Sequence, residues 1–311
     1  MSEDFGDLLC HEGGALEGMS GPAFRMSDVG KAAVPILIAS PHAGRAYTQA
    51  LLSAMRYPEV STLKLEDRHV DLMAKAAALK AGTALLVAEA PRAIIDLNRA
   101  PDDVDWGMVT GVHSSKKPDR SANRRARSGL GLVPRRLPSI GEIWSNPISQ
   151  GELEGRLASV HRPYHETLSR MLESLRDRFG MALLLDLHSM PPLQRASANE
   201  RPINFVVGDR FGASSHANIS SVALDFFEKN GLSAVRNRPY AGGYVLDRHA
   251  HVRRSIFGLQ LEICRTTYLD KSLANPTDGI HAISELIAGL VRALADEMML
   301  LQDFGDRQAA E

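Results

Sequence analysis

The stretch Leu183-Leu184-Leu185-Asp186-Leu187-His188-Ser189 constrains the fold more than any other part of the chain. Its first half is a continuous apolar run, the pattern of a strand buried on both faces of a parallel sheet. It ends in Asp, His and Ser, and Pro191-Pro192 stops it. A buried strand with a polar end suits the carboxyl edge of an open α/β sheet, where ligands bind. Val34-Pro35-Ile36-Leu37-Ile38-Ala39-Ser40, followed by Pro41-His42-Ala43-Gly44, has the same grammar. Two buried strands, each delivering one histidine from its end, can converge on a single metal ion.

The rest of the chain alternates in the same manner. A helix is expected from Glu66 to about Lys80, with Gly82 as its stop. Strands are expected at Thr83–Ala88, Ala93–Leu97, Ile203–Val207 and Ile256–Ile263. Ser149-Gln150-Gly151-Glu152 matches a capping box and opens a helical stretch to about Phe179, which Pro163 should kink or split. Further helices are expected at Ser215–Lys229 and Thr277–Leu301. The second carries an apolar stripe, Ile280, Ile283, Ile287, Leu290, Leu294 and Met298, read as core. Strand-and-helix alternation gives an α/β fold with a mixed, mostly parallel sheet. No Gly/Ser/Pro-rich linker divides the 311 residues, so one domain is expected, with an irregular N-terminal arm over 1–30.

Composition narrows the function classes. A formal net charge of −1 gives no global field to recruit nucleic acid or a membrane surface. Cys10 and Cys264 do not amount to a disulfide framework, and a reducing cytoplasm fits them. The acidic start, Met1-Ser2-Glu3-Asp4-Phe5, does not read as a signal peptide. Residues 104–148 lack periodicity and hold Lys116, Lys117, Arg120, Arg124, Arg125, Arg127, Arg135 and Arg136. Such a loop is a solvated surface, a lid over an anionic substrate, or a nucleic-acid contact. The absence of interleaved aromatics counts against the last.

Several polar residues sit where chemistry could be done. A lone histidine after a buried strand is more often a hydrogen-bonded structural residue than a ligand, but His42 and His188 occupy matching positions. Glu66 and Asp67 are the nearest acids for a third ligand, although a helix start favours carboxylates in any case. Asp186 shares a face with His188, two residues on, and is placed to orient that ring. Asp96-Leu97-Asn98-Arg99 offers amide donors and a guanidinium fork suited to a carboxylate; the alternative partners for Arg99 are Asp102 and Asp103. Glu262 lies within the apolar run Leu259–Ile263. Burial raises the pKa of such a group and suits it to take and return a proton, unless it is simply paired with Arg265.

Taken together these residues resemble the N-formylglutamate amidohydrolase family. The matching motifs, in the family's order, are Pro41-His42-Ala43-Gly44, Glu66-Asp67-Arg68-His69-Val70-Asp71, Ile95-Asp96-Leu97-Asn98-Arg99-Ala100-Pro101, Pro163-Tyr164-His165, Asp186-Leu187-His188-Ser189-Met190, Gly242-Gly243-Tyr244 and Gln260-Leu261-Glu262. The family looks like a relative of zinc carboxypeptidases and aspartoacylases. The resemblance implies a three-layer phosphorylase/hydrolase-like fold and one zinc ion per chain. It implies His42, His188 and Asp67 as ligands, with Glu66 as the fallback, and Glu262 as general base. It also implies Asn98 and Arg99 as a clamp on the substrate carboxylate, with Arg248 alignable as a further substrate contact. Arg248 or Arg92 is the cation expected near a developing oxyanion. The implied reaction splits N-formyl-L-glutamate, a small anionic N-acyl amino acid, into formate and glutamate, a late step of histidine degradation. After Tyr244 the family usually shows Thr-Arg-His-Tyr-Gly, whereas this chain has Val245-Leu246-Asp247-Arg248-His249-Ala250. That departure keeps two alternatives open: another N-acyl amino acid or small peptide as substrate, or a non-catalytic metal- or ligand-binding relative.

Overall fold

The computed structural model describes residues 8–18, 21–111, 124–138, 140–194, 197 and 199–310. The N-terminal arm carries two short strands, β1 (His11–Gly13) and β2 (Phe24–Met26). The first apolar run forms β3 (Ile36–Ser40), buried at every residue. Helices α1 (Gln49–Ala54), α2 (Pro58–Leu65) and α3 (Val70–Ala81) follow, then β4 (Ala84–Ala88). The segment after β4 contributes β5 (Val109–Thr110), α4 (Arg124–Arg127), β6 (Arg136–Leu137), β7 (Gly141–Glu142) and β8 (Ile148–Ser149). Next come α5 (Gln150–Arg156), α6 (Arg162–Phe179), β9 (Ala182–Met190) and β10 (Phe205–Gly208). The chain ends with α7 (Ala217–Lys229), β11 (Ala234–Arg236), α8 (Tyr244–His249), β12 (Ile256–Cys264) and α9 (Gly279–Ala310).

Eight strands form one mixed sheet in the order β1-β2-β4-β3-β9-β12-β10-β11. The central strands β4, β3, β9 and β12 are mutually parallel. Antiparallel pairs join β1 to β2, β2 to β4 and β12 to β10. Both faces are covered, which explains why the central strands read as continuous apolar runs. On one face, Leu37 and Leu184 meet Leu168, Leu172 and Leu175 of α6. On the other, Leu183, Leu185, Leu259 and Leu261 meet α3, α7 and α9. The stripe Ile280, Ile283, Ile287, Leu290, Leu294 and Met298 of α9 is buried there, as core. These layers make the α/β fold expected from the pattern, in the three layers that the resemblance implies.

Three expectations need correction. Glu66 does not open a helix: α2 ends at Leu65, and α3 begins only at Val70, after His69 turns the chain with φ = 60°. Glu66 and Asp67 therefore lie in a connection, not in a first helical turn. Ala93–Leu97 forms no strand but a turn-rich, buried path. Asp96 N–H bonds to the Leu132 carbonyl there, and the carboxylate of Asp96 caps Asn98 N–H, which holds the path without a ladder. Helices α1 and α2 fill the connection between His42 and Glu66. The 104–148 segment is built rather than merely solvated where it is described. Strands β5 and β8 pair in parallel and β6 and β7 antiparallel. Leu132, Val133 and Ile143 join the core, and Arg135 is paired with Asp105 and Glu142. Lys116, Lys117 and Arg120 lie outside the described residues.

Candidate metal centre and active site

Register builds the site. In the parallel β9–β12 pair, Asp186 stands opposite Gln260 and His188 opposite Glu262. Residues directly opposite share a face, and side chains alternate along a strand. The leucines at 185, 187, 259 and 261 are thereby sent to the α9 side, and the four polar residues to the other face at the strands' carboxyl ends. On the far side of β9, strand β3 ends at Ser40, and His42 follows it.

Asp67 is brought to the histidines by its own backbone, whose N–H donates to the His42 carbonyl at 2.9 Å. One carboxylate oxygen is anchored. Asp67 Oδ1 accepts from Ser189 Oγ at 3.1 Å and from Arg265 Nη2 at 3.3 Å. Arg265 also holds Ser189 Oγ and the Glu66 carbonyl. Arg265 thus serves Asp67, and the alternative pairing of Glu262 with Arg265 is not what forms. The other oxygen, Asp67 Oδ2, faces two imidazoles, 3.5 Å from His42 Nδ1 and 3.0 Å from His188 Nδ1.

Both rings are held from behind. His42 Nε2 lies 2.7 Å from Asp96 Oδ1, and His188 Nε2 lies 2.9 Å from Asp186 Oδ2. A ring nitrogen that donates to such a carboxylate frees the other nitrogen of that ring to ligate. This leaves Nδ1 of each ring directed at Asp67. His42, Asp67 and His188 offer donor atoms within 4.8 Å of one another, all three residues buried. Two donors on one tetrahedral ion with bonds of about 2.0–2.1 Å stand about 3.3 Å apart, close to the 3.5 and 3.0 Å from Asp67 Oδ2 to the two rings. Carboxylates behind ligating imidazoles are a usual feature of metal sites. The residues therefore fit a divalent cation, and the group could hold a metal ion. Its electrostatics agree. Burial opposes charge on His188, but Asp186 and Asp67 outweigh it and push the pKa well above the ordinary imidazole range. Burial is likewise overcome at Asp67, which the two imidazoles hold well below the usual carboxylate range, and at Asp96, where Arg92 does most of this.

Glu262 sits beside this cluster, buried, and accepts from Gln260 Nε2 at 2.8 Å. Burial pushes its carboxyl up to about 7; His188 draws it down, and Asp67 and Asp186 raise it. Arg92 is tied through Nε to Asp96 Oδ2 at 2.8 Å. Burial works against its charge, but Asp96, Asp67 and Glu262 outweigh that and hold it protonated.

The remaining candidate residues are placed differently from one another. Glu66 is buried but pairs with Arg68 at 2.9 Å, and it does not join the metal-ligand group. Asn98 is at the centre: Oδ1 accepts from Val245 N–H at 2.9 Å and Nδ2 donates to Gln260 Oε1 at 3.2 Å. Arg99 is buried with Nε on the Leu130 carbonyl and Nη1 on the Asn98 carbonyl. Asp103, one of its alternative partners, lies 3.9 Å away. Arg248 is exposed, and donates to the Tyr244 hydroxyl at 2.8 Å. Sequence reasoning gave no role to Asp96 or Gln260, although both lie in quoted motifs. It also passed over His161, which bonds to the Arg99 carbonyl at 2.9 Å, and over His165 and His249, 2.9 Å apart. A cavity of about 710 Å³ lies between α1, α2 and Arg68, lined by Glu66 and by none of His42, Asp67, His188 or Glu262.

Comparison with known proteins extends this picture. The chain is 28% identical over 269 residues to an N-formylglutamate deformylase of Pseudomonas putida, covering 83% of this chain and 92% of that protein. It is 27% identical over 272 residues to one from Pseudomonas aeruginosa, covering 84% and 92%. The crystal structure of an N-formylglutamate amidohydrolase from Ralstonia eutropha JMP134 matches with a TM-score of 0.78 at 26% identity, over 89% of this chain and 98% of that one. The family model for N-formylglutamate amidohydrolase matches residues 34–269, a span that contains the two histidine strands, the Asp67 connection and Glu262. By that match, the chain belongs to the N-formylglutamate amidohydrolase family.

Proposed function

We propose that the chain is a zinc-dependent amidohydrolase that cleaves N-formyl-L-glutamate to formate and glutamate, as in histidine breakdown. The observation that carries this is the buried His42–Asp67–His188 group with Glu262 beside it. The names of the relatives, N-formylglutamate deformylase, support the substrate.

His42 Nδ1, His188 Nδ1 and Asp67 Oδ2 would hold the zinc. When bound, zinc supplies Lewis acidity toward the formyl carbonyl and lowers the pKa of water in the site. Glu262 accepts a proton from the attacking water while the water oxygen bonds to the formyl carbon. The formyl C–N bond then breaks, and Glu262 returns the proton to the leaving nitrogen. Arg92, held charged in the interior, faces the oxygen on which negative charge develops. Arg248 at the rim, with Asn98 and Arg99 beneath, positions the substrate carboxylates and places the amide within reach.

The test is formate release from N-formyl-L-glutamate. A chelator should abolish it and zinc should restore it. Glu262→Gln should lower kcat by about 10²–10⁴-fold, the range for loss of a general acid–base. Activity that survives either treatment would sink this reading.

A second reading keeps the chemistry and changes the substrate to another N-acyl amino acid. The Val245–Ala250 stretch favours it, because it forms helix α8 beside Asn98 and departs there from the family pattern. Comparing kcat/KM across a panel of N-acyl amino acids separates the two.

A further inference from the structure

Gln260 is buried on the site face of β12, two residues before Glu262. A buried amide must satisfy both its ends, and which end points where is set by its neighbours. Here one polarity alone is consistent. The chain of bonds starts from a backbone N–H, which can only donate. Val245 N–H donates to Asn98 Oδ1, so Asn98 must present its NH2 on the other side. Asn98 Nδ2 donates to Gln260 Oε1, so Gln260 in turn must present its NH2 to Glu262. Gln260 Nε2 then donates to Glu262 Oε1. The direction of the last bond is thereby dictated by the first turn of α8, three residues upstream in the relay.

We propose that Gln260 is a positioning residue for Glu262 and that Asn98 fixes its orientation. This rests on the reading of Glu262 as the general base. The bond from Gln260 occupies Oε1, so Oε2 is the oxygen that takes up and returns the reacting proton. The amide also stops the carboxylate from rotating about its own axis, which would exchange the two oxygens. Gly243 belongs to the same device. A Cβ there would lie 2.4 Å from Asn98 Oδ1, so a side chain at 243 would push the Asn98 amide off Val245 N–H.

Gln260→Glu keeps the shape but sets a second carboxyl against Glu262 in place of the amide donor; Gln260→Leu removes both polar ends. Each should lower kcat by about 10–100-fold with KM within about twofold, the scale for losing a group that orients a reacting one. Because the residues act in series, Asn98→Ala combined with Gln260→Ala should cost no more in kcat than the worse single change. Gly243→Ala should lower kcat in the same way from outside the bonded chain. Bound metal per chain and the thermal melt are measured on every variant. Metal content and melting near those of the parent assign the loss to Glu262 placement. If Gln260→Glu fails to fold, Gln260→Leu and Gly243→Ala decide. Folded, metal-loaded variants with kcat within twofold of the parent would overturn the inference. An active Glu262→Gln variant would instead remove the base assignment on which it rests.

Discussion

Asp67 shows how a single side chain is given one task. Ser189 and Arg265 take one of its oxygens and leave the other to the two imidazoles. The arrangement predicts that Arg265→Met weakens metal binding by about 10–100-fold, because the carboxylate is then free to swing. Competition against a chelator of known affinity measures this, and unchanged affinity would show that Asp67 needs no such anchor. At this scale the sequence was informative where a titratable residue interrupted an apolar strand or closely followed one. His42, His188, Asp186 and Glu262 stand out because burial makes each of them anomalous. Asp96 and Gln260 do not stand out in that way. What marks them is a hydrogen bond to a residue distant in sequence or on a neighbouring position, and its direction depends on three-dimensional neighbours that periodicity does not encode. Arg265 was legible as a partner for a buried acid, but the acid it serves is brought in from nearly two hundred residues upstream.

Among the elements, buried strands and the long helices were readable because their periodicity extends over several turns or pleats. Short connections were not. The Glu66–Asp67 step looks like a helix start by composition, yet His69 at φ = 60° breaks the chain between α2 and α3. Ala93–Leu97 looks like a strand by its β-branched and apolar content, yet tertiary bonds to Leu132 override that preference. The 149–179 stretch follows its pattern more closely. Ser149 Oγ caps Glu152 N–H at 3.1 Å, α5 runs to Arg156, and a π-turn over Leu157–His161 precedes α6, in which Pro163 sits at the start. The π-turn is the split that Pro163 announces, and it carries His161 inward under the Arg99 carbonyl. Ser149→Ala should cost about 1 kcal/mol of stability through loss of the cap. Urea midpoints measure it; no change would mean that β8 alone fixes the start of α5.

Over the whole molecule, buried histidines are pushed in opposite directions: against its burial the neighbouring carboxylates raise His188, while burial lowers His165 and His249. His165 and His249 stack beside Ser169 with ring planes 14° apart. Burial and the nearby Arg248 lower His249 to about 3, and burial with the neighbouring imidazoles drives His165 down as well. An unfolded histidine titrates near 6.5. Below that value the unfolded chain therefore binds protons that the folded chain refuses. The stability tied to these rings is complete above pH about 6.5 and declines as pH falls toward the folded pKa. The slope is about 1.4 kcal/mol per pH unit for each such proton. His249→Gln should flatten the fall in stability between pH 6 and 4 by about one proton's worth, read from urea midpoints at each pH. An unchanged slope would place the acid sensitivity in the carboxylates instead.

The pairing of β9 with β12 has one more consequence. Asp186 and His188 face Gln260 and Glu262 only in the observed register. A slip of one residue in either strand would rotate that strand's whole polar set into the layer beneath α9 and bring leucines up in its place. No partially correct alignment gives half a site. The pairing of His188 with Glu262 is thus acquired in one step with the correct strand alignment, so recovery of the proposed hydrolysis during refolding, rather than ion binding alone, reports alignment of β9 with β12.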